Sequence, residues 1–179
     1  MTEKEGRPPV SRPEIRVGIG YDSHRLVPGR LLILGGQRIP SELGLEGHSD
    51  ADAVAHALTD AILGAAGAGD IGQLFPDTES AWKDADSLQL LRKAVERVHA
   101  AGFNVVNVDV TVIAERPKLR PHIDAMRANL ARAIGVDFSA VSIKGKTNET
   151  VDATGRGEAM ACHAVALLSG TTATGTPPA

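Results

Sequence analysis

The order of its periodic segments predicts an α+β protein, a mixed β-sheet with its helices packed on one face. Three observations carry this expectation. Runs of period two at 15–22 and 103–114 read as strands. Three other runs carry apolar stripes at helical spacing. Strand signals also succeed one another with no helix-length run between them, at 31–34 after 15–22 and at 159–168 after 141–144, which argues against a purely alternating parallel fold.

Ile15, Val17, Ile19 and Tyr21 alternate with Arg16, Gly18, Gly20 and Asp22, giving a strand with one apolar face and placing Asp22 and His24 on the other. Residues 31–34 are apolar and run into Gly35-Gly36, a second strand ending in a turn. Ser49 or Asp50 suits the cap of a helix whose stripe is Val54, Ala57, Leu58, Ala61, Ile62 and Ala65, with Gly67 and Gly69 at its end. A second helix starts near Ser87, turns Leu88, Leu91, Val95 and Val98 inward and stops at Gly102. In the strand over 103–114, Val106, Val108, Val110 and Val112 share one face, and Asn107, Asp109 and Thr111 the other. Pro121 fits the first turn of a third helix, with Ile123, Met126, Leu130 and Ile134 toward the core and Gly135 as its stop. Residues 141–144 and 159–168 close the sheet.

The 179 residues suit one domain, with 42% hydrophobic and 23% charged residues, ordinary for a globular chain. Residues 1–13 read as a flexible lead, 14–168 as a single catalytic domain and 169–179 as a disordered tail without charge or large apolar groups. A net charge of −3 and 3% aromatics give no reason to expect nucleic acid or an anionic membrane. The single cysteine, Cys162, excludes an intrachain disulfide and sits among apolar neighbours as a buried small hydrophobe. With no signal-peptide pattern and no apolar run of membrane-spanning length, a cytoplasmic location is expected.

The chemistry concentrates at Asp22, His24 and His56. Side chains at i and i+2 of a strand share a face, so Asp22 and His24 can aim at one point, and His56 lies on the helix face opposite its apolar stripe. Two imidazoles and a carboxylate suit Zn²⁺ with a coordination position left for substrate. Asp52, His56 and Asp60 line that helix face at i, i+4 and i+8, and the pattern fits a solvated face with a weak ion pair as well as a functional one. His48-Ser49-Asp50 precedes the helix, where a histidine, a serine and free backbone N–H groups can hold a phosphate. Asp70 and Asp77 lie in Gly- and Pro-rich loops, the usual setting of turn formers. Lys144-Gly145-Lys146-Thr147-Asn148-Glu149 lacks the Walker spacing, which excludes a P-loop nucleotidase. Arg156 and Glu158 read as a surface ion pair, and His99, His122 and His163 have no ligand-spaced neighbours.

Eight blocks, in order and with compatible gaps, resemble the 2-C-methyl-D-erythritol 2,4-cyclodiphosphate synthase family of non-mevalonate isoprenoid biosynthesis. They are Gly20-Tyr21-Asp22-Ser23-His24, Gly47-His48-Ser49-Asp50-Ala51-Asp52, His56-Ala57-Leu58-Thr59-Asp60-Ala61, Gly69-Asp70-Ile71-Gly72, Leu74-Phe75-Pro76-Asp77-Thr78, Asn107-Val108-Asp109, Pro117-Lys118 and Thr154-Gly155-Arg156-Gly157-Glu158. The resemblance covers residues 15–168. It implies a phosphorus–oxygen lyase that converts 4-diphosphocytidyl-2-C-methyl-D-erythritol 2-phosphate to the cyclic diphosphate and CMP, working as a homotrimer with its active sites between subunits.

The same resemblance implies zinc on Asp22, His24 and His56 and a second ion, Mg²⁺ or Mn²⁺, on Glu149. It assigns His48, Lys146 and Thr147 to the chemistry beside those ligands. It assigns substrate binding to His48, Ser49, Asp70, Gly72, Phe75, Asp77, Ala114, Pro117, Lys118, Leu119, Lys146, Thr147 and Arg156, with Asp70 on the erythritol hydroxyls and the stretch from Ala114 to Thr147 on cytidine and diphosphate. Two departures stand out: Thr150-Val151-Asp152-Ala153 replaces a Gly-Leu-Gly-Phe-like stretch, and Lys146 stands where some members have threonine. A zinc-dependent phosphoesterase that releases a linear product is the alternative reading.

Overall fold

The first strand, β1 (Ile15–Pro28), pairs antiparallel with the last, β7 (Ala159–Gly170), and these two form the middle of the sheet. β7 also pairs antiparallel with β5 (Phe103–Ile113), which pairs parallel with β6 (Val141–Lys146). A short strand, β4 (Leu43–Leu45), lies along the outer end of β1, giving the order β4-β1-β7-β5-β6. One parallel pair among antiparallel ones makes the sheet mixed, as the α+β expectation holds. Between β1 and β4, β2 (Leu32–Leu34) and β3 (Gln37–Ile39) form a hairpin turned by Gly35 and Gly36, whose φ angles of 55° and 67° suit glycine. The computed structural model describes residues 14–170 except Asp77, Ser80, Ala81, Lys83 and Asp84. The expected lead at 1–13 and residues 171–179 of the expected tail lie outside the described residues.

Helix α1 (Ala53–Ala66) lies on β1 and β7 and ends at Gly67 in the left-handed conformation. Its expected stripe is the buried one, and Leu58 and Ile62 have no exposure at all. After the single turn α2 (Ile71–Leu74), α3 (Ser87–Ala100) covers α1 with Leu91, Val95 and Val98. Helix α4 (Ile123–Ile134) packs on α3 and β6, and the turn α5 (Asp152–Gly155) leads into β7. Each such buried Leu, Ile or Val contributes about 1.5–3 kcal/mol. Among the described residues no helix is long and apolar enough to cross a membrane.

Four expectations need correction. The cap of α1 is Asp52, not Ser49 or Asp50: its Oδ1 accepts from the N–H groups of Val54 and Ala55 at 3.1 Å each. Asp52 is therefore fully buried rather than part of a solvated face, and it also accepts from Gly35 and Gly36 N–H at 2.8 and 2.6 Å. Burial pushes its carboxyl up to about 6 against the pull of the Gly36, Ala55 and Gly35 N–H groups. A bulge between Val105 and Asn107 breaks the strand alternation, so Val105 is buried while Val106 points out, 43% exposed. Finally, Ser169 and Gly170 belong to β7, two residues past the expected end of the domain at 168.

The faces of β1 are used in an unexpected way. Its glycine face, not its apolar face, meets α1. A Cβ on Gly18 would sit 2.0 Å from the Ala61 carbonyl oxygen, and one on Gly20 would sit 1.9 Å from that of Ala57. Backbone touches backbone across a seam of Gly18, Gly20, Ala57, Ala61 and Ala65. Ile15, Val17, Ile19 and Tyr21 point the other way and are 55%, 66%, 71% and 54% exposed. Val165 and Leu167 of β7 stand beside them, opposite Ile19 and Val17.

Replacing Gly20 with alanine forces α1 off the strand, because the contact is helix backbone and not a flexible side chain. Gly20→Ala is expected to destabilise the fold by about 3 kcal/mol, the upper part of the range for overpacking. Denaturant unfolding checks this, and an unchanged midpoint would contradict the seam.

Candidate metal centre and flanking cavities

Asp22 and His24 follow Gly18 and Gly20 on the same face of β1, so the seam carries them to the first turns of α1, where His56 stands. Asp22 Oδ2 lies 2.8 Å from His24 Nε2 and 3.0 Å from His56 Nδ1, and the two ring nitrogens are 3.4 Å apart. Among the described residues these three form the one group of histidine, cysteine or acidic side chains with metal-holding geometry. Donors on a tetrahedral ion with bonds of about 2.0–2.1 Å lie about 3.3–3.4 Å apart. The three atoms thus fit a divalent metal after opening by a few tenths of an ångström. Their side chains keep 22%, 17% and 14% exposure, so the group is recessed but reachable.

Each imidazole is oriented from behind. His24 Nδ1 lies 2.6 Å from the Glu46 carbonyl oxygen, which can only accept, so Nδ1 carries a proton and Nε2 is the atom that turns toward Asp22 and could bind a cation once its own proton is lost. On the far side of His56, Nε2 lies 2.9 Å from Ser87 Oγ and 3.1 Å from Ser49 Oγ. Burial alone would raise the Asp22 pKa, but hydrogen bonds and charge from His24 and His56 outweigh it and hold the carboxyl down to about 2. Burial alone would likewise lower His24, and Asp22 with the Glu46 carbonyl more than offsets it, so His24 is raised above its ordinary 6.5.

A cavity of about 180 Å³ opens beside the three ligands, walled by His48, Ser49, Ile71, Gly72, Phe75, Trp82 and Leu90. Phe75 and Trp82 meet edge to face with centroids 5.0 Å apart, which makes the far wall apolar. Asp60 fixes this rim by accepting from Ile71 N–H at 2.7 Å. Asp70 caps α2, accepting from Gln73 N–H at 2.8 Å, and is exposed beside Ile71 and Gly72.

A second cavity, of about 440 Å³, is lined by Ala114, Pro117, Lys118, Leu119, Lys146 and Thr147 among others. Among the described residues none lines both cavities. Thr147 Oγ1 donates to Glu149 Oε1 at the start of a tight loop. There Glu149, Thr150 and Asp152 have φ of 49°, 66° and 58°, a left-handed conformation costly to residues with a Cβ. Arg156 pairs with Glu158 through Nε–Oε1 at 2.8 Å and Nη2–Oε2 at 3.0 Å, the surface pair read from the sequence, and lines a third cavity with Glu42, Glu115 and Arg116.

The structure thus brings Asp22, His24, His56, His48, Ser49, Gly72 and Phe75 together, with Asp70 next to the rim. It gathers Ala114, Pro117, Lys118, Leu119, Lys146 and Thr147 elsewhere and leaves Glu149 and Arg156 outside both groups. Asp77 lies outside the described residues. Sequence reasoning missed the Glu46 carbonyl, Ser87, Ile71, Trp82 and Leu90. Ser87 carried only a helix-start signal, and a carbonyl carries none.

A model of the YgbB family matches residues 15–169. The 2-C-methyl-D-erythritol 2,4-cyclodiphosphate synthase of Chromobacterium violaceum is 62% identical over 154 residues, covering 86% of this chain and 98% of that protein. The protein of the same name from Salinibacter ruber is 56% identical over 154 residues, covering 86% and 98%. Among solved structures, the bifunctional IspDF of Campylobacter jejuni superimposes with a TM-score of 0.86 at 42% identity, over 89% of this chain and 43% of that one. The CDP complex of IspF from Plasmodium falciparum gives 0.78 at 34% identity, over 90% of this chain and 100% of that one.

In the metal-free protein, His24 contributes stability that is full below its unfolded pKa and is lost as pH rises through its raised folded value. Asp22 contributes stability present above its unfolded value of 3.8 and lost as pH falls toward about 2. Metal entry displaces the His24 proton. Zn²⁺ affinity should therefore fall by up to about tenfold per unit as pH drops below the raised His24 value, with proton release on binding. Calorimetry in two buffers of different ionisation enthalpy checks this, and a pH-independent affinity would contradict it.

Proposed function

The chain belongs to the YgbB family, and from that premise we infer that it converts 4-diphosphocytidyl-2-C-methyl-D-erythritol 2-phosphate to 2-C-methyl-D-erythritol 2,4-cyclodiphosphate and CMP. The observation that carries the reading is the Asp22, His24 and His56 group with its open side on the cavity of His48, Ile71, Gly72 and Phe75. Relatives more than half identical along nearly their whole length carry the synthase name and do not favour the phosphoesterase alternative.

In this reading the 2-phosphate oxygen of the substrate attacks its own β-phosphorus, the bond to the CMP phosphate breaks, and an eight-membered ring closes, a phosphorus–oxygen lyase reaction. No protein nucleophile is needed. A divalent ion on Asp22, His24 and His56, zinc by its donor set, supplies Lewis-acid stabilisation of charge on the phosphoryl oxygens. His48 and Ser49 hold the phosphates from the α1 side, and Asp70 and Gly72 at the cavity rim take the erythritol hydroxyls. Phe75 keeps water from the reacting groups, and Asp77 is a further substrate-binding residue in this reading. Ala114, Pro117 and Leu119 wall the cytosine, while Lys118, Lys146 and Thr147 bind the diphosphate. Glu149 would hold the second ion, Mg²⁺ or Mn²⁺, which would supply further neutralisation of phosphate charge. Folding the substrate back on itself supplies orientation worth roughly 7–11 kcal/mol.

In this reading the substrate is bound between subunits, with the second cavity contributed by a neighbour, and the lack of any described residue shared by the two cavities supports it. The exposed apolar face of Ile15, Val17, Ile19, Tyr21 and Val165, with the half-buried Leu167 beside them, supports a homotrimer assembled around the sheets. Ile19→Glu should then dissociate the assembly, read by sedimentation equilibrium, and a wild-type protein that sediments as a monomer would refute it.

The test of the reaction is phosphorus NMR of purified protein with the cytidyl substrate and Mg²⁺. Cyclic diphosphate and CMP are expected from the wild type, with no turnover by His56→Ala. Glu149→Gln should shift the Mg²⁺ titration to higher concentration while zinc content stays intact. Linear phosphates as products would make the protein a hydrolase instead.

A further inference from the structure

The turn that follows β6 is held by more side-chain bonds than its length requires. Glu149, Thr150 and Asp152 have φ of 49°, 66° and 58°, three residues with a Cβ in the left-handed region within four positions. Such backbone persists only where the surrounding bonds over-determine it. Asp152 supplies them. Its Oδ1 accepts from the Thr154 N–H and hydroxyl at 2.7 Å each and from the Gly155 N–H at 3.3 Å. Its Oδ2 accepts from Asn148 Nδ2 at 2.7 Å, and the same amide donates to the Val151 carbonyl at 3.1 Å. The Val151 N–H returns to the Asn148 carbonyl at 2.8 Å.

Asn148 and Asp152 thus close a ring over residues 149–151. Gly155 is buried against it, since a Cβ there would sit 2.5 Å from the Thr150 carbonyl carbon. Glu149 is the first residue inside the ring. Its Oε1 accepts from Thr147 Oγ1, which leaves Oε2 for a hard cation, and one carboxylate oxygen suits an ion that keeps most of its waters. The family that the chain resembles carries glycine where Asp152 stands. Glycine enters the left-handed region freely, whereas aspartate does so when its side chain bonds locally.

We propose that Asn148 and Asp152 are positioning residues, a side-chain clamp that holds the Glu149 turn left-handed and so aims its carboxylate at the second divalent ion. The clamp rests on the reading that Glu149 holds that ion. It touches neither ion nor substrate. Without it Glu149 relaxes toward the right-handed region, and its carboxylate swings away from Thr147.

Two single variants open the clamp differently. Asp152→Asn keeps the size of the side chain and an Oδ1 for Thr154 and Gly155, but it sets one amide against the other. Asn148→Ala removes the opposite arm and keeps the Asp152 charge. Asn148→Asp combined with Asp152→Asn reverses the polarity of the bond at the wild-type net charge, which rebuilds it.

The experiment has two readings. Residual dipolar couplings in the ion-free protein report the backbone at Glu149, and electron paramagnetic resonance of Mn²⁺ with the zinc-loaded protein and CDP reports ion affinity. A left-handed Glu149 is expected in the wild type and is lost in both single variants. Their Mn²⁺ affinity should be about tenfold weaker, and the double variant should recover both readings. A left-handed Glu149 or wild-type Mn²⁺ affinity in the single variants would overturn the clamp. So would weakening in Asp152→Asn alone, which is an effect of charge. Wild-type protein that binds no Mn²⁺ in the presence of CDP would sink the ion reading alone, because the turn is read without the ion.

Discussion

The architecture depends on how closely α1 lies on β1. Gly18 and Gly20 let the Ala57 and Ala61 carbonyls approach to where a Cβ would stand, and small residues on the helix complete the seam. Close approach brings dispersion contacts but mainly fixes position, since two backbones in contact cannot slide as side chains can. Asp22 and His24 extend the glycine face by one and two strand repeats, and His56 sits one residue before the first helix carbonyl of the seam. The ligand separations of 2.8, 3.0 and 3.4 Å are therefore inherited from the packing of a helix on a strand. A site built on rigid elements holds its geometry better than one carried by loops.

The segment from Glu46 to Asp52 ties everything to that seam. Its Glu46 carbonyl orients His24, Ser49 and Asp50 lie behind His56, and Asp52 joins the β2–β3 turn to the start of α1. Asp50 and Asp52, two residues apart, accept from the N-termini of different helices, α3 and α1. Each gains from the helix dipole and from charge-assisted hydrogen bonds. The segment carries backbone strain at Ala51, a buried alanine with φ of 56°, and the surrounding hydrogen bonds hold it there.

How far the sequence was legible follows from the range of the forces involved. The stripes of α1, α3 and α4 and the Asp22–His24 pairing are local periodicities, and they were read directly. The role of Asp52 was not, because Ser49, Asp50 and Asp52 all suit a cap and only the position of Gly35 and Gly36 chooses among them. Val106 was misplaced because a bulge adds one residue without a sequence mark. Asp22, His24 and His56 were found through ligand chemistry, whereas Ser87 stands 31 residues from His56 and reads as an ordinary helix start. The exposed apolar face of β1 was unreadable as exposed, since alternation gives two faces and leaves open which one the helix takes.

The two histidines face the same point through different ring atoms, His24 through Nε2 and His56 through Nδ1. Nε2 lies at the far tip of an imidazole, where the amide of a glutamine would reach. Nδ1 lies close to the main chain, where the amide of an asparagine would reach. The two positions thus have different isosteres, glutamine for His24 and asparagine for His56. A scheme that treats them as one residue type, swapping both for the same replacement, keeps the donor distance at one position and destroys it at the other.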